Sequence, residues 1–140
     1  MMKKMLNIRG QRGAAAIEFA IVLPVLVLLL FGTIEFGLLL YNQQVITNAS
    51  REGARAGIVN QTPRVTPQAI ASVVTNYCGG SLITFGDNAT AGPNVNVSST
   101  GTSFGDDLTV LVTYNYDFLV LSNLGFGQQV LGGRTVMKYE

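Results

Sequence analysis

The chain contains no histidine and no tryptophan, and Cys78 is its single cysteine. It therefore lacks the commonest general base and metal ligand of proteins, and it cannot form an internal disulfide. Charged residues make up 12%, against about 25% in globular proteins. A net charge of +1 gives no reason to expect a nucleic-acid partner. We find no nucleophile–base pair and no cluster of metal ligands, so the sequence predicts no catalytic residue, no cofactor and no metal.

Acidic residues are absent from the first seventeen positions, which hold four of the nine cations: Lys3, Lys4, Arg9 and Arg12. Without residues 1–13, the remaining chain has five cations and eight acids, a net charge of −3. A basic leader followed by a mildly acidic chain is more typical of an exported protein than of a nucleic-acid binder.

A long apolar run extends from Phe19 to Tyr41 and contains sixteen Leu, Ile, Val or Phe residues. At about −0.5 kcal/mol each, they contribute roughly −8 kcal/mol towards membrane insertion. Glu35 opposes insertion by about 2–3 kcal/mol if it lies deep in lipid. As a helix the run is about 34 Å long, which is enough to cross a bilayer. The preceding cations predict a cytoplasmic N-terminus and an external remainder.

A further carboxylate, Glu18, lies five residues after Gly13, where the basic segment meets the apolar run. A charge in lipid costs about 2.5–3.5 kcal/mol, so we interpret Glu18 as functional. A secretory signal peptide would have a shorter apolar core of about 7–15 residues. An uncleaved membrane anchor explains the length of the run but neither Gly13 nor Glu18. Gly13 followed by small residues and Glu18 resembles the type III signal of prepilin-like proteins, which is cut on the cytoplasmic side and leaves the apolar segment in the mature chain.

The helical pattern continues beyond the apolar run to about Asn60, since Pro63 cannot continue a helix and disfavours a helical residue before it. Mostly small residues recur there at helical spacing and predict a seam for close packing: Val45, Ala49, Gly53, Ala56 and Gly57.

Two segments carry a family resemblance: residues 12–24, RGAAAIEFAIVLP, and residues 48–56, NASREGARA. They resemble the TadE-like proteins, whose members carry Gly, small residues and Glu-Phe or Glu-Tyr, then an apolar run with Pro, then Ala-x-x-Gly-Ala-Arg. The ending MKYE of residues 137–140 is similar too.

This resemblance implies a minor pseudopilin that takes part in assembly of a tight-adherence (Flp) type IV pilus or a related secretion machine in the bacterial inner membrane. It places the cleavage site at Gly13 and Ala14, and peptidase recognition and subunit packing at Glu18, Phe19 and Pro24. The implied partners are a prepilin peptidase, other pilin or pseudopilin subunits, the inner-membrane assembly platform and the lipid bilayer. An uncleaved bitopic membrane protein with a small external binding domain is the alternative.

The remainder predicts a pilin-like α+β domain with an antiparallel sheet. Thr66 and Pro67 begin a short helix over Ala69–Tyr77, whose apolar face is Ile70, Val73, Val74 and Tyr77. Alternation and turn residues predict three or four strands at Ser81–Phe85, Asn94–Ser98, Leu108–Phe118 and Arg134–Tyr139.

The expected organisation is a leader at 1–13, a transmembrane helix continuing outside the membrane at 14–60, and an external domain at 61–140. Cys78 is either a small buried residue at a helix end or the site of an intermolecular disulfide, because the domain is expected to face an oxidising compartment.

Overall fold

The structure, a computed structural model, describes residues 8–86 and 91–140, and for residues 8–12 the backbone alone. Residues 1–7 of the expected leader lie outside the described residues. The elements are α1 (Ile8–Ile58), α2 (Pro67–Cys78), β1 (Asn94–Ser99), β2 (Asp107–Tyr116) and β3 (Gln129–Lys138), with a short 3-10 helix at Leu121–Leu124. They confirm the predicted α+β class, a long apolar N-terminal helix with a small antiparallel sheet. The chain divides into two compact units, the second of which is Glu35–Glu140.

The long helix α1 begins at Ile8 and contains Pro24 within its length. Its backbone is already helical across the bond between Gly13 and Ala14. At the other end, Arg64 donates to the carbonyl oxygens of Ile58 and Val59, at 3.4 and 3.3 Å. These carbonyls have no partner inside the helix, so the guanidinium caps its end close to the predicted stop.

The sheet has the order β1-β2-β3, and both pairings are antiparallel. Alternate residues of β2 face the core, which confirms the predicted alternation: Leu108, Val110, Val112, Tyr114 and Tyr116. The last strand begins at Gln129, five residues before the predicted start at Arg134, and therefore contains Gly132 and Gly133. A Cβ at Gly133 would lie 2.9 Å from the carbonyl oxygen of Ile46, so the strand needs glycine there to approach α1.

The expected strand at Ser81–Phe85 is wrong, because side chains satisfy the backbone of this segment. The N–H of Ile83 donates to Oδ1 of Asn42 at 2.9 Å, and Nδ2 of Asn42 donates to the carbonyl of Ile83. Thr84 Oγ1 accepts from the N–H of Asp117 at 2.8 Å. The segment is held by contacts with α1 and with the end of β2 rather than by a strand ladder.

The core of the Glu35–Glu140 unit forms where α1 meets α2 and the sheet. A Cβ at Gly53 would lie 2.5 Å from Val74 Cγ2, and one at Gly57 would lie 2.6 Å from Ile70 Cδ1. Ala49 is also fully buried. The predicted seam is thus confirmed at these three positions. Val45 and Ala56 are only half-buried, whereas Ile46, the neighbour of Val45, is fully buried in the core.

The predicted short helix is confirmed as α2, with Thr66 Oγ1 accepting from the N–H of Ala69 at 3.2 Å. Its buried residues are Ile70, Val74 and Cys78. Tyr77 is exposed, which corrects the predicted apolar face by one position at its end. Cys78 is thus buried in the core, which agrees with its interpretation as a small buried residue at a helix end.

Candidate functional site

The apolar half of α1 presents its side chains outwards. Every residue from Gly13 to Ile34 is exposed except the half-buried Gly32. Among the described residues, this helix is the one long and apolar enough to cross a membrane. From Ala14 to Ile34 it is about 31 Å long, which matches a hydrocarbon core of about 30 Å. Such a surface needs lipid or other chains to cover it.

The residues predicted for processing and packing lie on this exposed segment. Ala14 and Glu18 are four residues apart in a helix, so they share one face, one turn apart. Glu18 and Phe19 are both exposed, and no atom lies within 4 Å of a Cβ built on Gly13. Pro24 lies further along the same helix and has no N–H to offer the carbonyl of Ala20. The structure therefore brings Ala14 and Glu18 together, while Pro24 lies beyond them.

Glu35 has the opposite environment and corrects the expectation that treated it as a charge of the apolar run. It is only 2% exposed and is the first residue of the domain unit. Its Oε1 accepts from the N–H of Val120 at 2.5 Å, and its Oε2 accepts from the N–H of Leu121 at 3.2 Å. The carboxyl group thus caps the start of the 3-10 helix Leu121–Leu124. Its polar atoms are satisfied within the domain rather than being placed in lipid.

Aromatic side chains lie beside Glu35. The hydroxyl of Tyr116 donates to the backbone carbonyl of Glu35 at 3.2 Å. Burial, with the nearby charge of Glu35, raises the pKa of Tyr116, so its hydroxyl stays protonated and remains a donor. Phe118 packs edge-on against Tyr116 at 5.2 Å between ring centroids, and it also contacts Phe36 and Phe126. We call Glu35 and its contacts the Glu35 junction.

The Glu35 junction was not predicted from the sequence, although the sequence contains a signal for it. Extending the seam backwards from Gly53 in steps of three or four residues reaches Ala49, Ile46, Asn42 and Glu35, with one longer step before Glu35. All of these are buried. The domain-facing stripe of α1 therefore begins inside the apolar run, and its two polar members, Asn42 and Glu35, mark where it starts.

In the described parts of the chain, no three His, Cys, Asp or Glu side chains cluster closely enough to hold a metal ion. Burial raises the pKa of the Cys78 thiol, which disfavours the thiolate that nucleophilic chemistry requires. What stands out in this structure is an exposed apolar helix with one carboxylate near its start, followed by a folded α+β domain.

In the part of the chain that the structure describes, one candidate membrane-spanning helix is joined to a small α+β domain. The family model described as TadE-like protein matches residues 13–55. The match covers Gly13, Ala14, Glu18, Phe19 and Pro24, and it extends into the seam. Over these residues the chain is similar to TadE-like proteins, which confirms the resemblance predicted from the sequence. No curated protein and no solved structure matches the chain.

Proposed function

We propose that this chain is a minor pseudopilin that takes part in assembly of a tight-adherence (Flp) type IV pilus or a related secretion machine. The observation that carries the proposal is Glu18, an exposed carboxylate one turn after Ala14 on an exposed apolar helix. The TadE-like match over residues 13–55 supports a pilus-associated membrane protein. The role is structural rather than catalytic.

In this proposal a prepilin peptidase cuts between Gly13 and Ala14 at the cytoplasmic face of the inner membrane. The basic leader holds the N-terminus in the cytoplasm, and the domain lies on the other side. Glu18 and Phe19 are the recognition residues beyond the cut. Gly13 has no side chain at the scissile bond. A Cβ there would meet no atom of the described chain within 4 Å, so the proposed need for glycine arises in the active site of the peptidase.

Cleavage creates a positive amine on Ala14, one turn from Glu18 on the same helix face. Within an assembly, the Ala14 amine of one subunit neutralises Glu18 of its neighbour and offsets much of the cost of placing a carboxylate in lipid. The partners are other pilin or pseudopilin subunits and the assembly platform of the membrane. Pro24 and the exposed apolar faces complete the helix packing.

Processing is tested by replacing the glycine before the cut. In cells that contain a prepilin peptidase, Gly13→Val is expected to leave the precursor uncut, because the valine side chain would crowd the active site of the peptidase at the scissile bond. The matched control is Gly10→Val, which lies in the same leader but is followed five residues later by Ala15 rather than Glu. If Gly13→Val matures like the unsubstituted chain, the assignment of the site is wrong.

Packing is tested with Glu18→Gln, which keeps the shape of the side chain and removes its charge. We expect this variant to be cleaved but to lose co-purification with partner pilin subunits from the membrane. Glu52→Gln, which neutralises an exposed carboxylate of the domain part of α1, is the control and should still co-purify. Normal association of Glu18→Gln would favour the alternative, a bitopic membrane protein whose binding function resides in its external domain.

A further inference from the structure

The end of the domain that carries Glu35 exposes a group of large apolar side chains. We call this group the proximal rim, and its members are Phe36, Leu40, Leu119, Leu124 and Phe126. The first two belong to α1, and the other three belong to the connection between β2 and β3. Monomeric soluble domains rarely expose contiguous apolar groups of this kind without a partner.

The rim is held in place by the fold. Glu35 accepts hydrogen bonds from Val120 and Leu121 at the base of the β2–β3 connection, and Leu121 is buried. The rings of Phe118 and Phe126 are 6.4 Å apart. Gly125 closes the 3-10 helix with a φ of 90°, and its N–H donates to the carbonyl of Ser122 at 3.2 Å. The exposed side chains therefore project from an ordered, hydrogen-bonded turn.

The segments that form the rim contain no formal charge. No Asp, Glu, Lys or Arg occurs in residues 36–50 of α1 or in residues 118–133 of the β2–β3 connection and the start of β3. The carboxyl group of Glu35 is buried behind the rim. An uncharged surface with two exposed phenylalanines suits the boundary between lipid headgroups and acyl chains better than it suits bulk water.

The position of the rim along the chain favours the lipid surface as its binding partner. Glu35 directly follows Ile34, the last residue of the exposed apolar stretch, and Leu40 lies about 9 Å along the helix from Ile34. The interfacial layer of a bilayer is about 5–8 Å thick on each side. Phe36 and Leu40 therefore fall within or next to this layer if residues 14–34 cross the hydrocarbon core.

We propose that the proximal rim binds the lipid surface, so that the β2–β3 connection is a second membrane contact of the domain besides the spanning helix. The inference rests on the membrane placement in the proposed function. It gives Glu35 a positioning role, because its carboxyl group holds the turn that carries Leu124 and Phe126.

The absence of tryptophan makes a direct test possible, since one introduced indole is the only one in the chain. The full chain is reconstituted into phosphatidylcholine vesicles, with or without acyl chains brominated near the headgroup. We expect brominated lipid to quench the emission of Phe126→Trp about twofold or more, as for an aromatic ring at the membrane interface. Leu124→Trp is a second reporter on the same turn.

The matched control is Phe104→Trp, because Phe104 is 87% exposed and lies at the opposite end of the domain. The neighbouring Gly105 bonds to Tyr139, and Arg64 links Tyr139 to the end of α1. Brominated lipid should leave its emission unchanged. A third variant, Phe31→Trp, reports on the span and should be quenched.

Unquenched emission from both Phe126→Trp and Leu124→Trp, with Phe31→Trp quenched, would overturn the lipid contact while leaving the membrane placement intact. A blue-shifted but unquenched emission would identify a second protein surface as the occupant instead. Equal quenching of Phe104→Trp would overturn the assignment of the rim as a specific contact. If Phe31→Trp is not quenched, the membrane placement itself fails, and the proposed function fails with it.

Discussion

Glu18 and Glu35 are two carboxylates on the same helix, and their surroundings are opposite. Glu18 is exposed, among apolar side chains that are exposed as well. Glu35 is buried and accepts two backbone hydrogen bonds from residues about 85 positions away in the chain. One carboxylate is satisfied by the fold of its own domain, and the other is exposed on the apolar part of the helix.

The glycines of α1 repeat this contrast. A Cβ at Gly13 or Gly32 meets no atom within 4 Å, whereas a Cβ at Gly53 or Gly57 would collide with side chains of the core. The first part of the helix therefore carries small residues without a partner inside the described chain, and the second part uses them to build the domain. The comparison indicates that the part of α1 after Glu35 builds the folded domain, whereas Gly13 and Gly32, before it, have no packing role among the described residues.

The largest expected effect is at Glu35. Glu35→Ala leaves the buried N–H of Leu121 and the partly buried N–H of Val120 without acceptors, and a buried group without its partner costs about 1–3 kcal/mol. We expect the domain to lose about 3 kcal/mol of unfolding free energy, measured by urea-dependent proteolysis of the full chain in micelles. Glu18→Ala should change the same quantity by less than about 0.5 kcal/mol. Equal losses of unfolding free energy in Glu35→Ala and Glu18→Ala would contradict the contrast drawn between the two carboxylates.

The next effect distinguishes two adjacent glycines of β3. Gly133→Ala forces a methyl group against the backbone carbonyl of Ile46, which cannot move aside as a side-chain end can. Overpacking of this kind costs about 1–3 kcal/mol. Gly132→Ala is the control, since nothing lies within 4 Å of its Cβ position, and we expect it to be neutral within about 0.5 kcal/mol. The same urea series measures both, and a Gly133→Ala variant as stable as Gly132→Ala would contradict the close approach assigned to Gly133.

The smallest effect concerns alkaline pH. Burial raises the pKa of Cys78, Tyr114 and Tyr116 in the folded domain. The unfolded chain releases these protons first, from about pH 8.5 for the thiol and about pH 10 for the phenols. The contribution of these three groups to stability should therefore be constant below about pH 8 and fall as pH rises above it.

This pH dependence is measured as the urea midpoint between pH 7 and pH 11. Tyr116→Phe should reduce the alkaline fall, because it removes one of the groups with a raised pKa. It also removes the bond to the Glu35 carbonyl, so the change of midpoint with pH is compared rather than its absolute value. Tyr77→Phe, at an exposed position of α2, is the matched control. If the urea midpoint of Tyr116→Phe falls with pH as steeply as that of the unsubstituted chain, Tyr116 does not contribute to the alkaline loss of stability.

Local patterns predicted those parts of the fold that depend on local chemistry. The Thr66 cap, the alternation of β2 and the small residues at Ala49, Gly53 and Gly57 are decided by a few neighbouring positions. The strand expected at Ser81–Phe85 failed because its backbone partner is the side chain of Asn42, about forty positions earlier. Such a contact leaves no periodic signal within the segment itself.

The candidate site divides in the same way. Gly13, Ala14 and Glu18 were found from their spacing, and the structure places them on the exposed helix; their role in processing stays a prediction. Glu35 was misassigned because Phe36, Leu38, Leu39 and Leu40 make the hydropathy continuous across it. The hydrogen-bond donors to Glu35 are Tyr116, Val120 and Leu121, which lie in β2 and the turn after it. Only the tertiary fold therefore separates the two carboxylates.

The most direct test of the account is the intact mass of the full chain, purified from membranes of cells that contain a prepilin peptidase. The account predicts a chain that begins at Ala14. Its mass should lie about 1.5 kDa below that of the precursor, the summed mass of residues 1–13. A chain that still carries residues 1–13 under those conditions would contradict the account and leave Glu18 without its proposed partner, the Ala14 amine.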